Sequence, residues 1–227
     1  GGAGTSLNMN ANEVIANRAI ELLEGEKGNY NLVSPNSHVN MSQSTNDVFP
    51  TATRIAVLKL AQKLLAELTK LQEAFVSKSR EFDDIIKVGR THLQDAVPIR
   101  LGQEFGAYAE AIGRDIQRIK MASEALYEVN MGAKAVGTGL NANMEYIESV
   151  VVNLRKISGL PLRSAANMVD GTQNTDVLAA FSGSLKILAL NLSKIANDLR
   201  LMASGPRAGF GEIKLPPVQP GSSIMPG

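Results

Sequence analysis

Three long apolar seams constrain this chain more than any other feature of its sequence. The first runs through Val57, Ala61, Leu64, Leu68, Leu71 and Phe75, the alternating four-and-three spacing that keeps one face of a helix buried along its length. A second passes through Phe105, Ala109, Ile112, Ile116, Ile119 and Leu126, weakened at Gly106 and Gly113, each costing about 1 kcal/mol relative to Ala. The third, through Leu178, Phe181, Leu185, Leu188, Leu192, Ile195, Leu199 and Met202, is unbroken until Ser204-Gly205-Pro206, a stop signal of Gly followed by Pro. Helices of about 25 to 30 residues are about 40 Å long, well beyond the average globular helix, and seam-bearing helices of that length imply a bundle. The doublets Val57/Leu58 and Leu64/Leu65 widen the first stripe, which predicts contact with further subunits.

Shorter elements fill the rest. Helices are predicted over 12–24 and over 145–157, the latter ended by Gly159-Leu160-Pro161. Asp47 reads as the N-cap of the first long helix, with Pro50 in its first turn. No run alternates apolar and polar residues between turn signals, so no sheet is expected and the fold class is all-α. The division that follows is residues 1–46 as the tail of a small N-terminal domain and 47–227 as part of a central helical bundle.

Composition narrows the function classes. Lys plus Arg number 23 against 22 Asp plus Glu, so no strong net field draws the chain to nucleic acid or to an anionic membrane. Aromatics are 4% with no Trp, which argues against base-stacking platforms. The absence of Cys excludes disulfides, thiolate metal sites and a cysteine nucleophile, and a reducing cytoplasm is the expected setting. No stretch reaches the roughly 20 apolar residues of a membrane span, and the Gly-rich start lacks the features of a signal peptide, so a soluble chain is expected. Both ends fall inside Gly-rich loops, and the chain reads as an internal piece of a longer one.

Between the seams lie polar stretches richer in Ser, Thr, Asn and Gly than turns require: residues 4–13, 40–47, 89–98 and 221–227. Singly, each has an ordinary explanation. Ser44-Thr45-Asn46-Asp47 is a good capping sequence, His92 could be a satisfied structural histidine, and Met9 and Met225 suit packing. Arg90 and Arg100 read as ion-paired or solvated scaffold, and Asp95 and Gln103 as side chains that hold loop backbone. Together the stretches supply many neutral hydrogen-bond donors and one imidazole, with no metal cluster. Such a set suits a small dicarboxylate held without a tight ion pair. The first stretch lacks the Lys of a phosphate loop, and no Ser sits in a strand-to-helix elbow.

Four blocks then carry a resemblance. Gly-Thr-Ser-Leu-Asn-Met-Asn (4–10), Ser-Gln-Ser-Thr-Asn-Asp (42–47), Gly-Arg-Thr-His-Leu-Gln-Asp-Ala (89–96) and Gly-Ser-Ser-Ile-Met-Pro (221–226) resemble the active-site blocks of the aspartase/fumarase superfamily, in the family's order. Ser204-Gly205-Pro206-Arg207-Ala208-Gly209 resembles another. The resemblance spans the chain and implies an all-helical subunit in a homotetramer with active sites shared between subunits. It implies no cofactor and no metal. Gly-Ala-Gly-Thr-Ser before Asn-Met-Asn is similar to the branch that deaminates L-aspartate to fumarate, whereas the class II fumarate-hydrating branch usually carries Gln after that Thr. A non-catalytic helical scaffold is the third reading.

By that resemblance Ser222 is the general base, an alkoxide-forming serine, and His92 assists the leaving ammonia. Thr5, Ser44, Thr45 and Ser223 match donors to the substrate's β-carboxylate, and Asn46 and Thr91 match contacts to its amino and α-carboxylate side. The family's last block continues with a Lys and an Asn beyond residue 227, so the chain alone is expected to have little or no activity.

Overall fold

The computed structural model describes residues 2–225; Pro226 and Gly227, the end of the fourth block, lie outside them. The described residues form two compact units, one comprising the residues up to Glu67 with Ile116–Gly183, the other Leu68–Asp115 with the residues from Ser184 onward. The long helices α2 (Thr45–Glu81), α3 (Leu101–Glu124) and α6 (Asp176–Met202) each contribute to both, and α1 (Thr5–Leu22), α4 (Met144–Ser158) and the short α5 (Met168–Gln173) belong to the first.

The predicted seams are the buried faces of the long helices. Along α3, Phe105, Ala109, Ile112, Ile116 and Ile119 are all buried, and Leu126 follows just beyond. On α2 the stripe is rotated slightly from its prediction: Leu58 is buried where Val57 is half-buried, and Ala61, Leu68 and Phe75 continue it. On α6, Phe181, Leu188, Ile195 and Met202 are buried while Leu178, Leu185, Leu192 and Leu199 are half-buried, so one position of the heptad faces the core and the other flanks it. In contrast with the sequence expectation, α6 reaches a mean hydropathy of 1.2 over an 18-residue window and could cross a bilayer by length and composition alone. Its apolar residues nevertheless follow the seam spacing that a bundle helix needs.

In the second unit the three helices meet around aromatic rings. Phe75 of α2 lies 6.3 Å from Phe105 and 5.7 Å from Tyr108 of α3, and Phe82 meets Phe105 edge-on at 5.1 Å. The Tyr108 hydroxyl donates to Asp198 of α6 at 3.1 Å; burial and the Asp198 charge both push this phenol above its ordinary pKa. Two turns further along, Asn191 of α6 donates to Asp115 of α3 at 2.8 Å.

The first unit is closed by the chain between α3 and α6. Two-residue strands β3 (Glu128–Val129) and β4 (Arg163–Ser164) pair in parallel and bracket α4. α4 begins at Asn143, whose side chain accepts from the N–H groups of Glu145 and Tyr146, and ends at a left-handed Gly159, as the sequence indicates. Arg54 of α2 is buried here, its Nε and Nη1 without hydrogen-bond partners, and burial lowers its pKa against the charges of Glu128 and Asp176.

Three sequence expectations are corrected. The first helix begins at Thr5 rather than Asn12, so the first polar block is helical. Gly4 makes this possible: it sits at φ 88° against Phe49, whose Cγ would lie 2.3 Å from a Cβ at that position. The N-cap of α2 is Ser44, not Asp47. The Ser44 hydroxyl accepts from the N–H of Asn46 at 3.2 Å while the Asp47 carboxylate reaches back to the Ser44 N–H at 2.9 Å, a capping box with Asp in the third position. Finally, a sheet is present: β1 (Ile86–Thr91) and β2 (Gln94–Arg100) form an antiparallel hairpin with a bulge between Val88 and Arg90. Gly89 belongs there because a Cβ would stand 2.7 Å from the Val97 carbonyl oxygen.

The fully buried Ile119 tests the packing of α3. Ile119→Ala is expected to cost about 2 to 5 kcal/mol in urea unfolding, whereas Leu60→Ala, at a position 64% exposed, should stay within about 0.5 kcal/mol.

Candidate functional site

Two of the polar blocks converge in the first unit. The Asn8 amide, buried on the second turn of α1, donates to the Thr45 hydroxyl oxygen at 3.0 Å and to Asn40 Oδ1 at 3.4 Å, and Asn12 donates to the same Asn40 oxygen at 3.1 Å. Asn40 follows a π-helical turn, Pro35–Val39, capped by the Ser34 hydroxyl accepting from the Ser37 N–H. The end of α1 that begins with Thr5 is thereby tied to the start of α2, where Ser44, Thr45 and Asn46 lie. A cavity of about 310 Å³ lined by Asn8, Val48, Phe49 and neighbouring residues adjoins this junction.

The junction is anchored from below by a buried carboxylate. Asp47 is 0% exposed and accepts from the backbone N–H groups of Ser44 (2.9 Å), Gly132 (3.3 Å) and Lys134 (2.8 Å). Burial pushes its carboxyl above the ordinary range, and these donors pull in the opposite direction. The hydroxyl of Tyr146 is buried nearby without a hydrogen-bond partner, its pKa raised by burial and by the Asp47 charge. Asn130, also fully buried, donates to the Asn46 carbonyl at 3.0 Å and to Thr172 at 3.1 Å, and the Asn46 side chain donates to the Ala135 carbonyl at 2.7 Å. The loop from Asn130 to Ala135 is thus part of the site's frame. Sequence reasoning missed it; its only signal was a Gly-rich stretch, Gly132 through Gly139, which reads as an ordinary connection.

These bonds leave a defined chemical state. Thr45 and Ser44 each use an oxygen lone pair, accepting from Asn8 and from the Asn46 N–H, and neither donates its own O–H proton among the described contacts. Two neutral donors therefore remain free for a ligand at the helix N-terminus, where the backbone dipole also favours negative charge.

The remaining predicted residues belong to the second unit. Thr91 closes β1 opposite Gln94, and the tip between them is His92-Leu93, with φ of 51° and 62°. A two-residue hairpin loop needs positive φ at both positions and ordinarily uses Asn-Gly or Asp-Gly; His and Leu there carry about 1 to 3 kcal/mol of strain each. The backbone thus holds the imidazole out at an exposed tip. Arg90, just before it, ion-pairs with Glu212 at 2.7 Å, and Arg100 with Asp83 at 2.9 Å, so both arginines are scaffold as expected. Gln103 also holds backbone, its Oε1 accepting from the Arg100 N–H at 3.0 Å. Ser222 lies in a tight turn: its hydroxyl oxygen accepts from the N–H groups of Met225 (3.0 Å) and Ile224 (3.4 Å), and Ser223 is exposed beside it. Among the described residues no hydrogen bond joins the hairpin tip to Ser222 or Ser223. No group of three or more His, Cys, Asp or Glu among the described residues is arranged to hold a metal ion.

Comparison with known proteins agrees with the resemblance read from the four blocks. A family model described as lyase matches residues 1–227, and the chain belongs to that family. It is 66% identical over 227 residues to the aspartate ammonia-lyase of Bacillus subtilis and 54% identical over 228 residues to that of Pseudomonas aeruginosa, with all of the chain and 48% of each relative covered. The chain therefore spans about half the length of the curated relatives it matches. Among solved structures it is similar to the fumarate lyase:delta crystallin from Brucella melitensis bound to cobalt, at a TM-score of 0.95 and 55% identity over 100% of this chain and 49% of that one. It is also similar to a class II fumarase from Schistosoma mansoni, at 0.94 and 38% over 100% of this chain and 50% of that one.

Removing the buried acceptor tests the frame. Asp47→Ala leaves three backbone N–H groups without their partner and is expected to cost about 3 kcal/mol or more in chemical denaturation. Asp47→Asn, which keeps one acceptor oxygen, should cost less.

Proposed function

We propose that the full-length protein containing this chain is an ammonia-lyase that deaminates L-aspartate reversibly to fumarate and ammonia, in a homotetramer whose active sites draw on several subunits. The observation that carries the reading is the pair Ser44 and Thr45, whose oxygens are engaged by protein N–H groups while their protons are unspent. A carboxylate is the ligand that such free donors at a helix N-terminus suit. The names of the relatives supply the substrate class, and the higher identity to aspartate ammonia-lyases than to the fumarase favours deamination over hydration.

The difficult step is removal of a proton from the carbon beside the β-carboxylate, because it places a second negative charge on that group. Ser44, Thr45, Thr5 and Ser223 donate to those oxygens, and their hydrogen bonds strengthen as the charge grows, so they favour the transition state over the ground state. Each such donor is worth about 3 to 4 kcal/mol when well aimed. Ser222 takes the proton. Its alkoxide is stabilised by the N–H groups of Met225 and Ile224 already directed at its oxygen. The electron pair of the broken C–H bond is first held on the β-carboxylate as an aci-carboxylate and then forms the new double bond as the bond to nitrogen breaks, with His92 in the role of assisting the departing amine and Thr91 and Asn46 in that of contacting the amino and α-carboxylate side. Residues 1–46 end an N-terminal domain and 47–227 form part of the central bundle. Leu190, 61% exposed, lies on a helix surface that other subunits cover in this arrangement.

On the full-length protein, L-aspartate should yield fumarate, followed at 240 nm, together with ammonia, and Ser222→Ala should lower kcat by at least about 100-fold. The 227-residue chain alone, spanning about half of its relatives, should show little or no turnover. Malate formation from fumarate without ammonia release from aspartate would instead identify a hydratase, and a Ser222→Ala enzyme of normal kcat would remove Ser222 from the role of base.

A further inference from the structure

Asn46 is gripped by one loop at both its backbone and its side chain. Its carbonyl has no donor within α2, because the residue four positions on is Pro50, which lacks an N–H. Asn130 supplies the missing donor. Its amide nitrogen reaches the Asn46 carbonyl at 3.0 Å and the Thr172 hydroxyl oxygen at 3.1 Å, which uses both of its N–H groups. Thr172 accepts there because its own proton goes to the Met168 carbonyl at 2.7 Å. Asn130 is fully buried, and its oxygen accepts from the Thr51 hydroxyl at 3.5 Å.

Further along the same loop, the Ala135 carbonyl accepts from the Asn46 amide at 2.7 Å. A carbonyl cannot donate, so this contact fixes which way round the Asn46 amide stands, with its NH2 against Ala135 and its Oδ1 at the other end. Asn46 is exposed, and that oxygen accepts from no protein group among the described contacts. The loop itself is pinned between the two contacts, where the N–H groups of Gly132 and Lys134 bind the buried Asp47.

An unused amide oxygen is an acceptor in search of a donor. Both carboxylates of L-aspartate need donors, and only its ammonium group needs acceptors. We propose that Asn130 is a positioning residue for recognition of the amine: by satisfying the carbonyl that Pro50 leaves without a donor, it holds Asn46 where the Asn46 Oδ1 receives the substrate's ammonium group. The proposal rests on the lyase reading above and deepens it. Asn130 touches no substrate; its effect passes through Asn46. Ser44 and Thr45 are anchored separately, by Asp47 and Asn8, so the grip on the β-carboxylate does not depend on Asn130.

A dicarboxylate without the amine separates this role from ordinary stabilisation. In the full-length protein, Asn130→Ala should raise KM for L-aspartate about ten-fold while the inhibition constant of succinate stays within about two-fold. In the reverse reaction, KM for ammonia should rise and that for fumarate should hold. Asn130→Ser, which keeps a donor on a shorter side chain, should recover part of the loss. If the Ala variant does not fold, a selective rise for aspartate in the Ser variant supports the role and its absence overturns it. Ile119→Ala, destabilised by packing alone, should leave the ratio of the aspartate and succinate constants unchanged. Parallel losses for aspartate and succinate in Asn130→Ala, or no loss for aspartate, overturn the role of Asn130 in a protein that releases ammonia. A wild-type protein that releases no ammonia from aspartate overturns the lyase reading itself, and the role falls with it.

Discussion

Everything described at the start of α2 depends on one buried carboxylate meeting three backbone N–H groups. Asp47 closes the capping box with Ser44, and its second oxygen pins the Gly132–Lys134 loop beneath the helix. Burying a charge is costly in isolation, and it is tolerated here because oriented amides replace the lost water. The gain is rigidity where it counts: Ser44 and Thr45 stand on a helix end that has no freedom to retreat from a ligand. Asn130 repeats the device with a neutral amide, so the same loop is held at both ends.

Hydrophobic periodicity made the long helices legible. Burial of Ile112, Ile119 and Leu126 follows from spacing alone, and the end of α4 could be placed because Gly159 followed by Pro161 is a strong stop signal. The hairpin was not legible, because its signals are inverted. A tip of His92-Leu93 replaces the Asn-Gly that marks such turns, Gly89 and Pro98 sit inside the strands, and the bulge between Val88 and Arg90 breaks the alternation. The start of α1 was hidden in a similar way: Asn8, Asn10 and Asn12 are poor helix formers, and the helix extends through them because Asn8 and Asn12 find tertiary partners in Thr45 and Asn40. Local propensity lost to long-range hydrogen bonds.

At the candidate site, residue type and order were readable, but protonation geometry was not. No spacing rule could indicate that Thr45 accepts from Asn8, which is what leaves its proton available. Nor could it indicate Asn130, an ordinary amide before a Gly-rich stretch whose partner Asn46 lies 84 positions earlier. The places where sequence rules fail, the strained hairpin tip above all, coincide with the residues assigned to chemistry, as expected where function overrides local preference.

The left-handed Gly4 has a meaning for how the first block should be interpreted. Its Cα faces the Phe49 ring with no room for even a methyl group, so the leading glycine of Gly-Thr-Ser answers to steric fit rather than to reactivity. Positions 4 and 49 are consequently coupled by contact: a larger residue at one demands a smaller one at the other. A relative that has altered its chemistry entirely could still preserve that pair, and a signature scored on the glycine would credit it with a reaction it no longer performs.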